Sequence, residues 1–279
     1  VDDARVIHEH SNTAVALPAA HLLVRIAGNP DAFDRIKQSV EVTRWLSAEG
    51  FPCVEPVDLA PFRVKGRVIS VWRLLDVVDH PPGSGTELGR LLHDLHNRPA
   101  APMGVRRLDD PFASVASAIN RVQGAMADQD RAWLLTRIRE LRTAWNSLAT
   151  ALEPGLVHGD AHPNNLIRVR GGDVVLGDWD HVAHGPREWD LIQPYYMHRR
   201  FGRHSTAELR EFTDAYGWGV SGWGGFETLI EVREITGLSP YIRRATNHAR
   251  ARQELARRLA TLRSGDSAAL WKAPAAPSA

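Results

Sequence analysis

Cysteine is almost missing from this chain: Cys53 is the single one in 279 residues. One thiol closes no internal disulfide and builds no cysteine-based zinc site. That scarcity fits a reducing compartment, so a cytoplasmic location is expected. No run of eighteen or more apolar residues occurs, which excludes a spanning helix. The first residues, with Asp2 and Asp3, carry no signal-type apolar run. Excess charge is missing too. The formal net charge is +1, so no global field draws the chain to nucleic acid or to an anionic membrane. The first strands hold no G-x-G-x-x-G, and no Walker A motif occurs anywhere.

What is present falls into two regions. RVIHEH, AVAL and HLLVRI read as short strands, with a polar turn at Ser11, Asn12 and Thr13. Gly28-Asn29-Pro30 stops the third strand. Asp31 is a candidate cap for a helix running to Glu49, with Phe33, Ile36, Val40 and Leu46 on its apolar side and Gly50 ending it. GRVISVWRLL is another strand. HPPGSG, residues 80 to 85, then punctuates the chain. Beyond it helices dominate: ELGRLLHDLH, a long segment from about Pro111 to Leu152, and a resumed run to about Arg263. The expected class is α+β, with a sheet-rich lobe at 1–75, a hinge at 76–85, a larger helical lobe at 86–272 and a disordered tail at 273–279.

HGDAHPNN, residues 158–165, gathers a carboxylate, two imidazoles and two amides straight after Leu156 and Val157. Downstream, LIRVR and DVVLG flank Gly171-Gly172. A diglycine loop between β-branched runs predicts a hairpin, because its turn needs positive φ at both positions. A two-residue loop sets Arg170 opposite Asp173 and Leu166 opposite Gly177. One step further out, Asn165 opposes Asp178, with Cβ atoms about 4.5–5.5 Å apart. Two hard oxygen donors so placed can share Mg²⁺, which takes one or two protein oxygens and completes its octahedron with phosphate and water. Asp160 sits in the preceding loop and can face the same space. A carboxylate base, an Asn, and a second Asp beyond a hairpin is the arrangement of a kinase-type phosphotransferase site.

HGDAHPNN followed by GDWD and GPREWDL resembles the aminoglycoside phosphotransferase and choline kinase-like family, relatives of the protein kinases. The resemblance covers nearly the whole chain and is weakest in the first third. A lone H-x-D would say little; H-x-D-x-x-x-x-N, twelve residues, then D-W-D is specific. The resemblance implies a two-lobed protein-kinase-like fold, ATP or GTP as phosphoryl donor, Mg²⁺ as cofactor, a hydroxylated small-molecule acceptor and a monomer. It implies Asp160 as the catalytic base, Asn165 and Asp178 as the metal pair, His158 as a structural support, and Asp190 as a buried brace of the loop. Gly159 stands where protein kinases carry the Arg that reads a phosphorylated loop, so no such switch is expected.

On the nucleotide side, Arg25 stands where the family more often has Lys, and Glu41 matches the helix Glu that holds that cation. A guanidinium stays charged and grips phosphate oxygens bidentately. Ser11, Asn12 and Thr13 would cover the phosphates. WRLLD, with Arg73, Leu74 and Leu75, would be the adenine hinge. On the acceptor side, Ser205 to Ile235 holds six acids against two Arg, a local charge of −4 that favours a cationic acceptor. Asp180, His181, Trp218, Trp223 and Glu227 are candidate acceptor contacts. His93 and His96 read as helix-face residues, and Arg243, Arg250 and Arg257, seven apart, as one solvated basic face of the last helix. Two rival readings remain: a non-catalytic pseudokinase-type binding protein, and a metallohydrolase built on His158, Asp160 and His162.

Overall fold

The computed structural model describes residues 3–9, 12–78 and 83–272. In chain order the elements are β1 (Arg5–Glu9), β2 (Asn12–Leu17), β3 (Leu22–Ala27), α1 (Phe33–Ala48), β4 (Phe62–Val64), β5 (Arg67–Arg73) and α2 (Gly85–His96). There follow α3 (Ala113–Arg121), α4 (Asp128–Asn146), β6 (Gly155–Val157), β7 (Leu166–Arg168), β8 (Val174–Leu176) and β9 (Ala183–Gly185). The chain continues with α5 (Glu188–Phe201), α6 (Thr206–Tyr216), α7 (Phe226–Thr236), α8 (Ser239–Arg244) and α9 (Ala249–Ser264).

Among the described residues, the N-terminal strands form one antiparallel sheet of order β1-β2-β3-β5-β4. The β2–β3 register runs unbroken from Asn12 opposite Ala27 to Leu17 opposite Leu22. Asn12 and Thr13 therefore open a strand and do not form the polar turn expected of them, and Ser11 lies outside the described residues. The GRVISVWRLL strand is one arm of a hairpin whose other arm, β4, the alternation did not reveal. Lys65 and Gly66 both take positive φ (46° and 74°), as a two-residue turn between Val64 and Arg67 requires. Helix α1 buries Ile36, Val40 and Leu46, and Ile36 packs with Ala32 of the preceding turn and with Ala27 and Val68 of the sheet. Its approach is capped by Asn29, whose Oδ1 accepts from Asp31 N at 3.0 Å, and not by Asp31. Pro30, at the first position of a 3₁₀ turn, moves the cap two residues upstream.

The chain divides into two compact units, residues 1–107 with 155–190 and 211–217, and residues 108–154 with 191–210 and 218–279. In the first unit the sheet and α1 are joined by α2 and by two small ribbons, β6–β9 and β7–β8. Helix α2 starts on a reciprocal cap between Ser84 and Glu87. The hinge expected at 76–85 includes residues 79–82, and the tail expected at 273–279 likewise lies outside the described residues.

The second unit is helical. The long helical segment expected from about Pro111 to Leu152 holds two helices, α3 and α4, parted where Gly124 takes φ 70°. The last helix breaks as well: Arg243 belongs to α8, while Arg250 and Arg257 belong to α9. One arginine of α9 leaves solvent altogether. Arg258 is 1% exposed, lies 4.0 Å from the Tyr241 ring centroid and 4.6 Å from that of Trp271, and donates to Glu254 at 3.0 Å. The basic run is thus partly a packing device, in which aromatic faces and a carboxylate offset the cost of burying charge. Among the described residues no helix is long and apolar enough to cross a membrane. A small antiparallel sheet followed by a helical C-terminal part is the mixed α+β class that the sequence predicts.

Candidate active site

Strand β6 ends at Val157 and delivers HGDAHPNN into a loop that is fastened from below. Asp190 is fully buried, and its two carboxylate oxygens accept the backbone N–H groups of His158 (2.7 Å) and Gly159 (2.8 Å). His96 Nε2 lies 3.2 Å from the same carboxylate, and His96 Nδ1 lies 2.9 Å from the hydroxyl of Tyr216. The neighbouring Trp189 donates its indole N–H to the Gly159 carbonyl at 3.0 Å. His158 is also fully buried. Its Nε2 faces the Gly177 carbonyl at 2.8 Å; a carbonyl only accepts, so Nε2 carries the proton and Nδ1 accepts from Asp160 N–H at 3.3 Å. The ring leans edge-on against buried Trp179, 4.7 Å between centroids. Loop and hairpin are held together through that imidazole.

Burial by itself would raise the carboxyl of Asp190. The hydrogen bond and charge of His96 and the Gly159 N–H outweigh it, and the group sits below the usual carboxylate range. A depressed folded value means stability that is complete above the unfolded value of about 3.9 and is lost as pH falls through the folded one. Wild type should therefore exceed Asp190→Asn in urea midpoint by a constant margin at neutral pH, and that margin should shrink below about pH 4. A margin independent of pH down to the acid transition would show that the carboxylate charge is not what holds the loop.

The hairpin differs from expectation by one residue. Leu166 opposes Leu176 and Arg168 opposes Val174, so Asn165 faces Gly177, whose N–H it accepts at 2.8 Å, and not Asp178. Both glycines take positive φ, 108° and 97°, but the loop has three residues because Arg170 joins it. Arg170 is drawn out by Asp76: its N–H meets the Asp76 carbonyl at 2.8 Å and its Nε the carboxylate at 2.6 Å. A one-residue slip in a ribbon would move a side chain to the other face. At Asp178 the alternation is broken, since this residue adopts a left-handed φ of 56°, a conformation costing a non-glycine residue about 1–3 kcal/mol. Asp160, Asp178 and Asp180 consequently all lie within Coulomb range of His181. Asn165 is tied to the same loop through Nδ2, which donates to the Asp160 carbonyl at 2.9 Å. Asp160 itself is partly exposed, with Oδ2 3.8 Å from His162 Nε2.

The N-terminal sheet meets this hairpin through Arg25. Its guanidinium reaches Asp180 Oδ1 (3.2 Å) and Oδ2 (3.1 Å) and, more loosely, Asp178 Oδ1 (3.4 Å). Glu41, expected beside Arg25, is paired with Lys37 at 3.7 Å, one turn away on its own helix. Asn12 donates to Asp180 Oδ2 at 3.2 Å. Thr13 is paired with Ile26 inside the sheet, and Ser11 lies outside the described residues. In the expected hinge, Arg73 N–H and side chain are both taken by Glu55, and Leu74 N–H by the His21 carbonyl at 2.9 Å. Leu75 follows β5 and is half-buried.

The acceptor candidates separate. Asp180 is 5% exposed and committed to Arg25 and Asn12, so it is no open acceptor contact. Burial works against its ionisation, yet the charges of Arg25, Arg35 and His181 hold its pKa below the ordinary value. His181 is an exposed residue whose imidazole is nonetheless desolvated enough to lower its pKa, and its carbonyl accepts from Arg106 at 3.1 Å. In the second unit, Trp223 donates to the Ala149 carbonyl at 3.0 Å and lies over Gly225, which marks a packing residue; Trp218 is half-buried. Glu227 is gripped by both terminal nitrogens of Arg199 (2.6 and 2.7 Å), Glu231 by Arg137, and Glu234 by Arg200. These arginines lie outside the segment counted as −4, so half of its acids are neutralised by partners distant in sequence. The same pairs line a cavity of about 680 Å³. The sequence reading missed His96 and Tyr216; the i, i+3 pair His93 and His96 on α2 was the available signal, since both reach Tyr216.

The donor set suits a hard divalent cation. The amide nitrogen of Asn165 is occupied, which leaves its oxygen as the ligand atom, and Asp178 is half-exposed. Mg²⁺ needs no more than one or two such oxygens from protein. A zinc or iron centre is poorly served: the imidazole nitrogens of His158 are engaged, and among the described residues no group of three or more His, Cys, Asp or Glu is arranged to hold a metal.

Comparison with known proteins places these motifs in context. The family model described as APH, phosphotransferase enzyme family, matches residues 4–229. Among solved structures, amicoumacin kinase hAmiN in complex with AMP-PNP, Ca²⁺ and Ami is similar at TM-score 0.69 and 12% identity, covering 97% of this chain and 91% of that one. The GDP and kanamycin complex of APH(2")-IIia gives 0.64 and 15%, covering 95% and 94%. Aminoglycoside phosphotransferase APH(3'')-Id from Streptomyces rimosus gives 0.62 and 15%, covering 84% and 92%. At these identities the likeness is one of fold.

Proposed function

Because the chain belongs to the phosphotransferase enzyme family, we propose that it moves the γ-phosphoryl group of ATP or GTP to a hydroxyl group of a small molecule. One observation carries the reading: Asp160, Asn165 and Asp178 share a single loop-and-hairpin unit, fastened by buried Asp190 and His158. In this reading Asp160 orients the acceptor hydroxyl and takes its proton as the oxygen attacks the γ-phosphorus and the bond to the leaving nucleoside diphosphate breaks. Asn165 and Asp178 would hold Mg²⁺, which when bound would supply positive charge to offset that of the phosphates. Arg25 turns the N–H groups that Asp180 leaves over toward the α- and β-phosphate oxygens. The loop needs no phosphorylation to be set, since Gly159 leaves no arginine to read a phosphate. Most of the acceleration then comes from positioning and electrostatics.

The acceptor we favour is a hydroxylated antibiotic or amino sugar. The compounds named with amicoumacin kinase (Ami) and with APH(2")-IIia (kanamycin) support that class. Recognition would rest on hydrogen bonding more than on bulk negative charge, because Glu227, Glu231 and Glu234 are already paired. The test is acceptor-dependent formation of nucleoside diphosphate by purified protein, with ATP and with GTP, across aminoglycosides, other hydroxylated antibiotics, choline-like alcohols and nucleosides. Turnover with one class is expected. Tight nucleotide binding with no turnover on any compound would favour a binding protein instead.

A further inference from the structure

We propose that Asp180, the second acid of GDWD, is the positioning residue for Arg25 and takes the place that the family resemblance gives to Glu41. The inference rests on the proposed function and adds to it how this chain prepares its phosphate-gripping cation.

Arg25 stands on β3 between Ala14 and Ser70, with its guanidinium 5.9 Å from the Trp72 ring centroid. Both terminal nitrogens engage the Asp180 carboxylate, one on each oxygen (3.2 and 3.1 Å), and Asn12 adds a third bond at 3.2 Å. The Asp180 side chain is 8% exposed and that of Arg25 is 20%. A partly buried fork-to-carboxylate pair has defined geometry and is screened less than an exposed one. Glu41 has a 41% exposed side chain and lies with Lys37. The helix does face the GDWD turn, but through other residues. Gln38 donates to the Val182 carbonyl at 2.7 Å, and Arg35 lies within Coulomb range of Asp180. Glu41 lies about 60° round the helix from Gln38 and about 120° from Arg35, and its carboxylate turns to Lys37 instead of to Arg25. A helix offering a cation at that place calls for an anion from elsewhere, and Asp180 supplies it.

The exchange suits the substitution of Arg for Lys. A planar guanidinium is best held by a carboxylate in its own plane, whereas an ammonium is a point charge that accepts a partner from any side. It also puts the brace of the cation two residues from Asp178 on one turn. Arg25 touches Asp178 at 3.4 Å, so a metal–nucleotide that engages Asp178 competes for that looser contact and leaves the Asp180 contact in place.

Two double-mutant cycles test this. Nucleotide affinity is measured by calorimetric titration of ATP and GTP with Mg²⁺, and melting temperature on nucleotide-free protein. One cycle uses Arg25→Ala, Asp180→Asn and their combination; the other uses Arg25→Ala, Glu41→Gln and their combination. Asp180→Asn should weaken nucleotide binding about tenfold, within the range of coupling seen for charges in contact. Its effect should appear as a raised nucleotide KM with little change in kcat, should vanish when Arg25 is already Ala, and should be partly restored by Asp180→Glu. Glu41→Gln should bind nucleotide as wild type does. Additive effects of Arg25 and Asp180, or coupling of Arg25 to Glu41, overturn the proposal. If Asp180→Asn does not fold, Glu41→Gln alone decides: unchanged affinity supports the proposal and a tenfold loss overturns it. Wild type that binds no nucleotide overturns this inference and the proposed function together. Wild type that binds nucleotide, couples Arg25 to Asp180, and phosphorylates nothing leaves this inference standing and removes only the proposed function.

Discussion

Asp160→Ala should lose about 10²–10⁴-fold in turnover, the usual span for a positioned base, while keeping most of its nucleotide affinity. The side chain lies in the loop after β6 and is partly exposed. The backbone contacts of that loop come from elsewhere: Asp190 takes the N–H groups of His158 and Gly159, and Asn165 donates to the Asp160 carbonyl, which the substitution retains. Removing the carboxylate therefore takes away a reacting group and leaves the loop standing. Asp178→Ala should behave differently and weaken binding of Mg²⁺ and nucleotide, because that carboxylate would hold the ion. The check is kcat and nucleotide Kd for both variants beside wild type, with melting curves to verify folding. Equal turnover in wild type and Asp160→Ala would remove the base assignment.

Gly159→Ala should be more damaging to the fold than its size suggests. Gly159 has φ 89°, and a Cβ built on it would stand 2.2 Å from the His181 carbonyl oxygen and 2.8 Å from its carbon. The methyl group therefore meets rigid backbone of the GDWDH turn, not the flexible end of a side chain. Left-handed strain and overpacking together should cost about 3–5 kcal/mol, a large share of the ~5–15 kcal/mol that holds an ordinary domain together. Urea denaturation should show a much lower midpoint, and any folded fraction should be nearly inactive because loop and turn are forced apart. A wild-type midpoint with full turnover would mean that the close approach of Gly159 to His181 does not exist in solution. The same contact explains the glycine at this position: the space an arginine would need is filled by the chain.

The outcome of the sequence reading depended on how local each signal was. Strand β3 and helix α1 were legible because their patterns lie within each element: Ile36 and Val40 stand one helical turn apart and, with Leu46, are all buried. The diglycine turn was legible because positive φ is a property of two adjacent residues. The register was not, because it depended on Arg170 meeting Asp76, ninety-four positions earlier in the chain. Glu41 was matched to Arg25 by order along the chain. The pairing with Asp180, 155 positions from Arg25, was decided by which face of α1 meets the GDWD turn. The acidic stretch around α6 and α7 read as a cation-attracting surface because composition counts only neighbours in sequence. Arg137, Arg199 and Arg200 reach it from other helices.

By itself the sequence determined the α+β class, the existence and order of the H-x-D, Asn and D-W-D groups, and the two glycines whose conformations the loops require. These follow from backbone preferences and side-chain periodicity, which act over a few residues and survive any packing. Tertiary structure alone decided which carboxylate holds Arg25, which face of the hairpin Asp178 serves, and whether the acids of α7 meet solvent or arginine. Coulomb and hydrogen-bond energies depend on distance in space, and residues a hundred positions apart acquire a distance only when the chain has folded.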